Sequence, residues 1–397
     1  MEAVRYEEGR TWLYVPRASV VTVPPPTSPV FFNPAASANR DVSVAVTAAA
    51  GGATFCDAMA GVGARGVRVA NEVDGVSEVV MVDFNSQALR LARRSASFNR
   101  VKGKCAFAES ETTSYLYSRF GRDRRYDFVD VDPFGTPVRQ IQASLSATAD
   151  GGVLSMTATD TAVLCGVHRG TCARRYGSTP INNSFHHETG IRILLAALAR
   201  SGAAIDIGIE PLAAHSTRHY LRVYVRVKPG ASKAEASLKE LGEVSWCPAC
   251  GDARGPGDWV PVCGVCGRKT KKAGPVWAGR VADDDLVSGA REEAQARGMA
   301  QAAEMLGSLE GVNRFPPWSF DIDEVCSKLK LPTVPELAVY RSLMKNGRRA
   351  MRTPFEKAGL KTDASCAEVV EAVMDGAREP TREGPASRLR SSSRARN

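Results

Sequence analysis

No apolar run among the 397 residues approaches the roughly 18 that a membrane-spanning helix needs. The start, MEAVRYEEGR, has acids where a secretory leader is basic, and no apolar segment follows. Internal repeats are lacking. So is a spread of paired cysteines that would staple a small secreted fold. These absences disfavour membrane and secreted proteins, and the expected setting is a reducing, cytoplasmic compartment. Disorder is excluded for most of the chain, with 44% hydrophobic and 24% charged residues. Lys and Arg number 52 against 43 Asp and Glu, a net charge of +9 that favours a polyanionic partner.

Strand and helix signals alternate after a Pro-rich link, TVPPPTSP. Residues 53–57 (ATFCD), 76–83 (VSEVVMVD), 126–132 (YDFVDVD) and 153–158 (VLSMTA) are short apolar runs, most of them ending at an acid. Residues 85–99 read as a helix capped by Asn85 or Ser86. Near-continuous apolar strands between helices imply a parallel sheet covered on both faces. Residues 221–228 (LRVYVRVK) alternate, which predicts a half-exposed antiparallel strand at the sheet edge. The expected fold class is therefore α/β. Its domain spans residues 1–228, and a smaller α+β C-terminal domain spans 229–376. Residues 284–309 read as helical, and 321–375 as a small helical or winged module. The tail, 377–397, holds six Arg from residue 378 onward and no core-forming residues, so it is expected to be disordered.

The first strand runs into Asp57-Ala-Met-Ala-Gly61-Val-Gly63-Ala-Arg65-Gly66. Gly61, Gly63 and Gly66 match GxGxxG, and Asp83 ends the next strand twenty residues after Gly63. Glycines let a nucleotide approach the backbone, and the acid can bind ribose hydroxyls. Such a loop alone also suits a plain strand-to-helix turn. Arg65 inside it tilts the reading from a diphosphate cofactor toward S-adenosylmethionine, whose carboxylate an arginine can clamp. The alternative is a solvated arginine at a helix start.

The strand 126–132 ends in Asp132-Pro133-Phe134-Gly135. A carboxylate at a parallel strand's C-terminal end points into the ligand crevice. An acid beside a flat ring suits methyl transfer to an exocyclic amine, whose lone pair is delocalised until hydrogen bonds from N–H to Asp132 orient it. Asp-Pro is also a common turn. His186, His187 and Glu188 invite a zinc-protease reading, but the HExxH spacing fails. Cys165, His168 and Cys172 are assigned to packing.

Cys247-Pro-Ala-Cys250 and Cys263-Gly-Val-Cys266 stand twelve residues apart. Two such knuckles complete a closed, structural Zn2+ site. Arg268, Lys269, Lys271, Lys272 and Arg280, with Trp259 and Trp277, predict a basic surface for phosphate contacts. So do Arg348, Arg349, Arg352 and Lys357.

DAMAGVGARG, VDFN and DVDPFGTP, with FFNP…NRD upstream and ATDTAVLCGVHRGTCARRYG and HHETGIRIL downstream, resemble the tRNA guanine-N2 dimethyltransferases that modify guanosine 26. The ordered matches run from about residue 31 to 195, with weaker similarity to about 376. The resemblance implies a Rossmann-like methyltransferase domain, S-adenosylmethionine as cofactor, and tRNA as partner with no membrane and no obligate protein partner. It implies that Arg40 and Arg65 hold the methionine end, Asp83 the ribose, and Glu111 and Thr112 the adenine side, where the usual pair is Asp-Ala. Asp132, Pro133 and Phe134 would form the catalytic pocket. Phe31 would add a second ring, sandwiching a flipped guanine. Two rivals remain at this stage: an NAD-dependent dehydrogenase using the glycine loop, and a non-catalytic zinc-containing RNA-binding protein.

Overall fold

The computed structural model describes residues 2–119, 125–217 and 219–378. The Arg-rich tail therefore lies, from residue 379, outside the described residues. A hairpin of β1 (Ala3–Glu8) and β2 (Thr11–Pro16) opens the chain. A seven-stranded sheet follows, built from β3 (Thr54–Asp57), β4 (Glu78–Asp83), β5 (Cys105–Glu109), β6 (Tyr126–Val131), β7 (Thr148–Ala158), β8 (Ile207–Ser216) and β9 (Leu221–Pro229). Its strand order is β5-β4-β3-β6-β7-β9-β8. The first five strands run parallel, and β9 lies antiparallel to both β7 and β8.

The sequence expectation for residues 221–228 is half met. The strand is antiparallel, but it is interior, since β8 covers its outer side. Its alternating polar residue Arg222 is fully buried because an acid waits beneath it.

Helices Ser37–Ala50, Ala64–Glu72 and Ser86–Phe98 form one layer, joined by Asp284–Ala296. Thr112–Tyr117, Ile141–Ala147, His186–Ala203 and Ala231–Lys239 form the other. Asn85 caps its helix as expected, its side chain accepting the N–H groups of Gln87 and Ala88.

The change of sequence character near residue 229 is not a break in the core. One hydrophobic core runs from Leu13 through Val312 and takes in Phe355. It absorbs a three-stranded sheet of β10 (Leu241–Trp246), β11 (Ala253–Gly257) and β12 (Lys271–Trp277), which carries the paired cysteines. A second, smaller core joins helices Ile322–Leu329, Glu336–Lys345 and Cys366–Arg378 to a hairpin of β13 (Ala350–Arg352) and β14 (Leu360–Thr362). The small module docks through Lys361, whose buried ammonium contacts Glu188 at 2.7 Å. Among the described residues, no helix is long and apolar enough to cross a membrane.

The N-terminal hairpin is riveted to the glycine-loop helix by charge. Arg68, fully buried, pairs with Glu72 at 2.9 Å, Glu8 at 3.0 Å and Asp41 at 2.7 Å. A charge cluster of this kind is tolerated only when every member is paired. Arg68→Ala leaves three carboxylates facing a cavity. It is expected to cost about 3–5 kcal/mol, read as a lower urea midpoint.

Candidate active site

The strand order reverses at β3, whose neighbours β4 and β6 leave in opposite chain directions. A crevice opens there beyond the strand ends, where α/β sheets bind ligands. It has a volume of about 410 Å³ and is walled by Phe31, Arg40, Asp57, Gly61, Arg65, Asp83, Asp132, Pro133 and Phe134 among others. Nine of the candidate residues from five separated stretches thus meet in one cavity.

The loop between β3 and its helix is set by backbone rather than by side chains. Gly63 lies at φ +73°, and a Cβ there would stand 2.6 Å from the Ala92 Cβ. Only glycine allows both. Gly63 therefore acts through the close approach of two helices, not by lining the cavity. Asp57 is buried and accepts the Gly66 N–H at 2.9 Å, which fixes the helix start. Asp83 accepts the Gly61 N–H at 2.7 Å through Oδ2 and the Asn85 N–H at 2.8 Å through Oδ1. These bonds aim its carboxylate, and each oxygen keeps a lone pair for a hydroxyl donor.

Arg65 is the hub. Its Nη1 donates to Asp130 at 2.7 Å, and Nη2 to Asp132 at 2.9 Å and Asn39 at 3.1 Å. Its Nε is buried with no partner among the described residues. Asp130 is also paired with the fully buried Arg222 and accepts the Ser155 hydroxyl at 2.5 Å. Burial opposes charge on Asp132, but Arg65 and Arg222 outweigh it and hold the carboxyl below its ordinary range. Asp132 is thus an anion at neutral pH, fixed in place and partly open to the cavity. The solvated reading of Arg65 does not hold, because the side chain is 6% exposed.

Arg40 is differently committed. Its Nε and Nη2 each donate to Glu8 at 2.6 Å, and Nη2 also to the Asn33 carbonyl at 3.0 Å. The fork faces the hairpin, so Nη1 is the edge left for a ligand.

Glu111 and Thr112 fall outside the residues that wall the crevice. Glu111 caps the helix Thr112–Tyr117 by accepting the Thr113 and Ser114 N–H groups. Thr112 donates its hydroxyl to the Ala58 carbonyl at 2.8 Å. Glu111 is thus engaged by a helix cap, and Thr112 by a backbone carbonyl beyond the end of β3.

Phe134 is 70% exposed on a loop that Gly135 and Thr159 fasten through two hydrogen bonds. Its ring meets Phe31 edge to face, with centroids 4.9 Å apart at 71°. The two rings touch each other. A flat slot for a base is not open, and a sandwich requires Phe31 to swing aside.

Sequence reasoning missed Asp130, Asn39 and Arg222. Asp130 had a readable signal, since the period of two in YDFVDVD puts it on the face of Asp132. Arg222 had none, being indistinguishable from an outward-facing polar residue. Tyr220 and His219 also wall the crevice. Near them His215 is buried, with neither ring nitrogen hydrogen-bonded among the described residues. The unfavourable burial holds it neutral, well below the usual histidine range at about 3.

Burial also pushes Asp57 up to about 7, against the pull of Arg65, with Asp130 adding to the rise. A carboxyl raised on folding stabilises the protein fully below its unfolded value and loses that contribution as pH rises to the folded value. Asp57→Asn removes the titration. The wild-type stability minus that of the variant is expected to fall by about 2–4 kcal/mol between pH ~4 and ~7, then level off. Urea melts across that range measure it.

A sequence profile of N2,N2-dimethylguanosine tRNA methyltransferases matches residues 9–374. The tRNA (guanine(26)-N(2))-dimethyltransferase of Methanothermobacter thermautotrophicus is 33% identical over 93% of this chain and 98% of its own. That of Methanosarcina acetivorans is 34% identical over 92% and 97%. Trm1 from Pyrococcus horikoshii, solved in complex with S-adenosyl-L-methionine, superposes with a TM-score of 0.82 at 29% identity, covering 93% of this chain and 99% of that one. With more than nine-tenths of the chain matched and the crevice lined by the residues that the motifs supply, the chain belongs to the N2,N2-dimethylguanosine tRNA methyltransferase family.

Proposed function

We propose that the protein methylates the exocyclic N2 of guanosine 26 in tRNA, twice, with S-adenosylmethionine as donor. The observation that carries the reading is the fixed Asp132 anion at the crevice beside the exposed Phe134 ring. The donor supplies an electrophilic methyl on a sulfonium. The residues present suit it. Asp83 offers acceptors for ribose hydroxyls, the Gly61 turn leaves open space above the backbone, and Arg65 with the free edge of Arg40 offers cations for a carboxylate.

The guanine leaves its stack to reach this depth. Phe134 covers one face of the base, and Phe31 moves off to admit it. Asp132 accepts an N2–H hydrogen bond, turning the nitrogen lone pair toward the methyl carbon. The Pro133 carbonyl accepts the other N–H in this reading. The alkylated, cationic nitrogen is a strong acid and loses its proton to Asp132 or to water. A carboxylate held below its usual range is a weak base, so its main work is aim and charge. A second transfer requires the monomethylated amine to rotate within the same pocket.

The four cysteines suit a structural Zn2+. Their sulfurs lie within 4.8 Å of one another, with Cys247–Cys266 at 3.5 Å and Cys250–Cys263 at 3.6 Å. Each knuckle closes on a glycine whose N–H bonds back to its first cysteine's carbonyl at 2.9 Å. We assign residues 229–376 to holding the tRNA body.

The basic patches are sparser than the sequence suggests. Lys272, Arg280, Arg348 and Arg349 are paired with acids, and Trp277 is buried. Arg268, Lys269 and Lys271 remain exposed beside the exposed Trp259. The helix Arg169–Tyr176 adds exposed Arg169 and Arg174 close to the crevice, since Tyr176 bonds Asp160, the residue after Thr159. Phosphate contacts there would let shape select the site.

In vitro methylation of unmodified tRNA, read by nucleoside mass spectrometry, is expected to give N2,N2-dimethylguanosine at position 26. Methylated adenosine or cytidine would overturn the substrate assignment. Asp132→Ala is expected to lower kcat by ~10²–10³-fold while S-adenosylhomocysteine still binds. Cys247→Ser with Cys266→Ser is expected to weaken tRNA binding in filter assays more than cofactor binding in calorimetry.

A further inference from the structure

We propose that Cys165, His186 and His187 form a second transition-metal site, taking Zn2+, at the seam between the catalytic sheet and the C-terminal module. The three come from two loops that tertiary packing brings together. Cys165 follows the short helix Thr161–Leu164, and its N–H bonds the Thr161 carbonyl at 2.8 Å. Gly166 then lies so close to the next loop that a Cβ would stand 2.6 Å from the Asn182 nitrogen. That approach sets the thiol against the start of helix His186–Ala203. One ligand atom from each of Cys165, His186 and His187 falls within 4.8 Å of the others.

The imidazoles are arranged as ligands are. The Nδ1 of His186 contacts the Asn183 carbonyl oxygen, so it carries the proton and leaves the Nε2 lone pair free. The Nδ1 of His187 is buried and has no hydrogen-bond partner among the described residues. The two rings sit 4.3 Å apart at 44°. A buried ring nitrogen without a partner is costly, and a bound cation removes the cost.

Beside the cluster stands Glu356, from the small module. Its Oε1 accepts the N–H groups of His187 and Glu188 at 3.1 and 3.2 Å. Its carboxylate lies outside the 4.8 Å group and is held by these N–H groups and the Thr353 hydroxyl, so a water would be the fourth ligand. One sulfur and two imidazole nitrogens are the donor set of a borderline metal in tetrahedral geometry, and they exclude magnesium and calcium, which take oxygen. Cys172 stays outside the group, and His168 is exposed.

The test uses the full chain, stripped with chelator under reducing conditions, reloaded with Zn2+ alone and freed of excess. Metal is counted by inductively coupled plasma mass spectrometry. The wild type is expected to hold two equivalents. Cys165→Ala and His187→Gln are each expected to hold one, with S-adenosylhomocysteine binding retained as the sign of a folded catalytic domain. One equivalent is expected to survive in Cys247→Ser with Cys266→Ser. A wild type with a single equivalent that this last pair abolishes overturns the site, whether or not the other variants fold. So does an unchanged count in folded Cys165→Ala and His187→Gln.

Discussion

The contact on which the site depends is the ion pair between Arg65 and two acids, Asp130 and Asp132. Arg65 rises from the helix after the glycine loop, and both acids come from the end of β6. The pair therefore ties the cofactor half of the crevice to the half that would receive the base. Asp130 serves as an anchor, with Arg222 and Ser155 on its far side. Asp132 keeps an oxygen toward the cavity. The same guanidinium that locates Asp132 also keeps it ionised.

Buried charge of this kind is expensive unless each member is paired and hydrogen-bonded. The fold meets that condition three times. Arg65 and Arg222 share Asp130 behind the crevice. Arg68 gathers Glu8, Asp41 and Glu72 under the N-terminal hairpin. Lys361 and Arg192 meet Glu188 where the small module docks. Each cluster links stretches far apart in the chain. Apolar packing would hold such stretches together with less geometric definition, whereas ion pairs of fixed length set the distances between strand ends, loop and hairpin.

The Phe31–Phe134 contact has a related meaning. The two rings cover each other's apolar area in edge-to-face geometry, a stable arrangement for aromatic pairs. Under the proposed function, the base displaces that contact and offers a larger stacking surface in return. A purine does so, being wider than a phenyl ring.

The sequence by itself determined the parallel strands, the glycine loop and the acids at strand ends. Their signals are local: apolar runs, period-two alternation, and glycines where the backbone has to turn. It also determined the cysteine knuckles, since spacing of two within each pair is a local requirement of chelation. Tertiary structure alone decided the rest. Glu111 and Thr112 sit beside the expected region, but their side chains serve a helix cap and a backbone carbonyl, a choice made by chain direction after β5. Arg40 turns its fork to Glu8, thirty-two residues earlier. LRVYVRVK lies inside the sheet because β8 pairs on its outer side, and Cys165 reaches His186 and His187 through a glycine contact. Partners distant along the chain leave no mark in the pattern of either segment, so which charge meets which could be read only after folding.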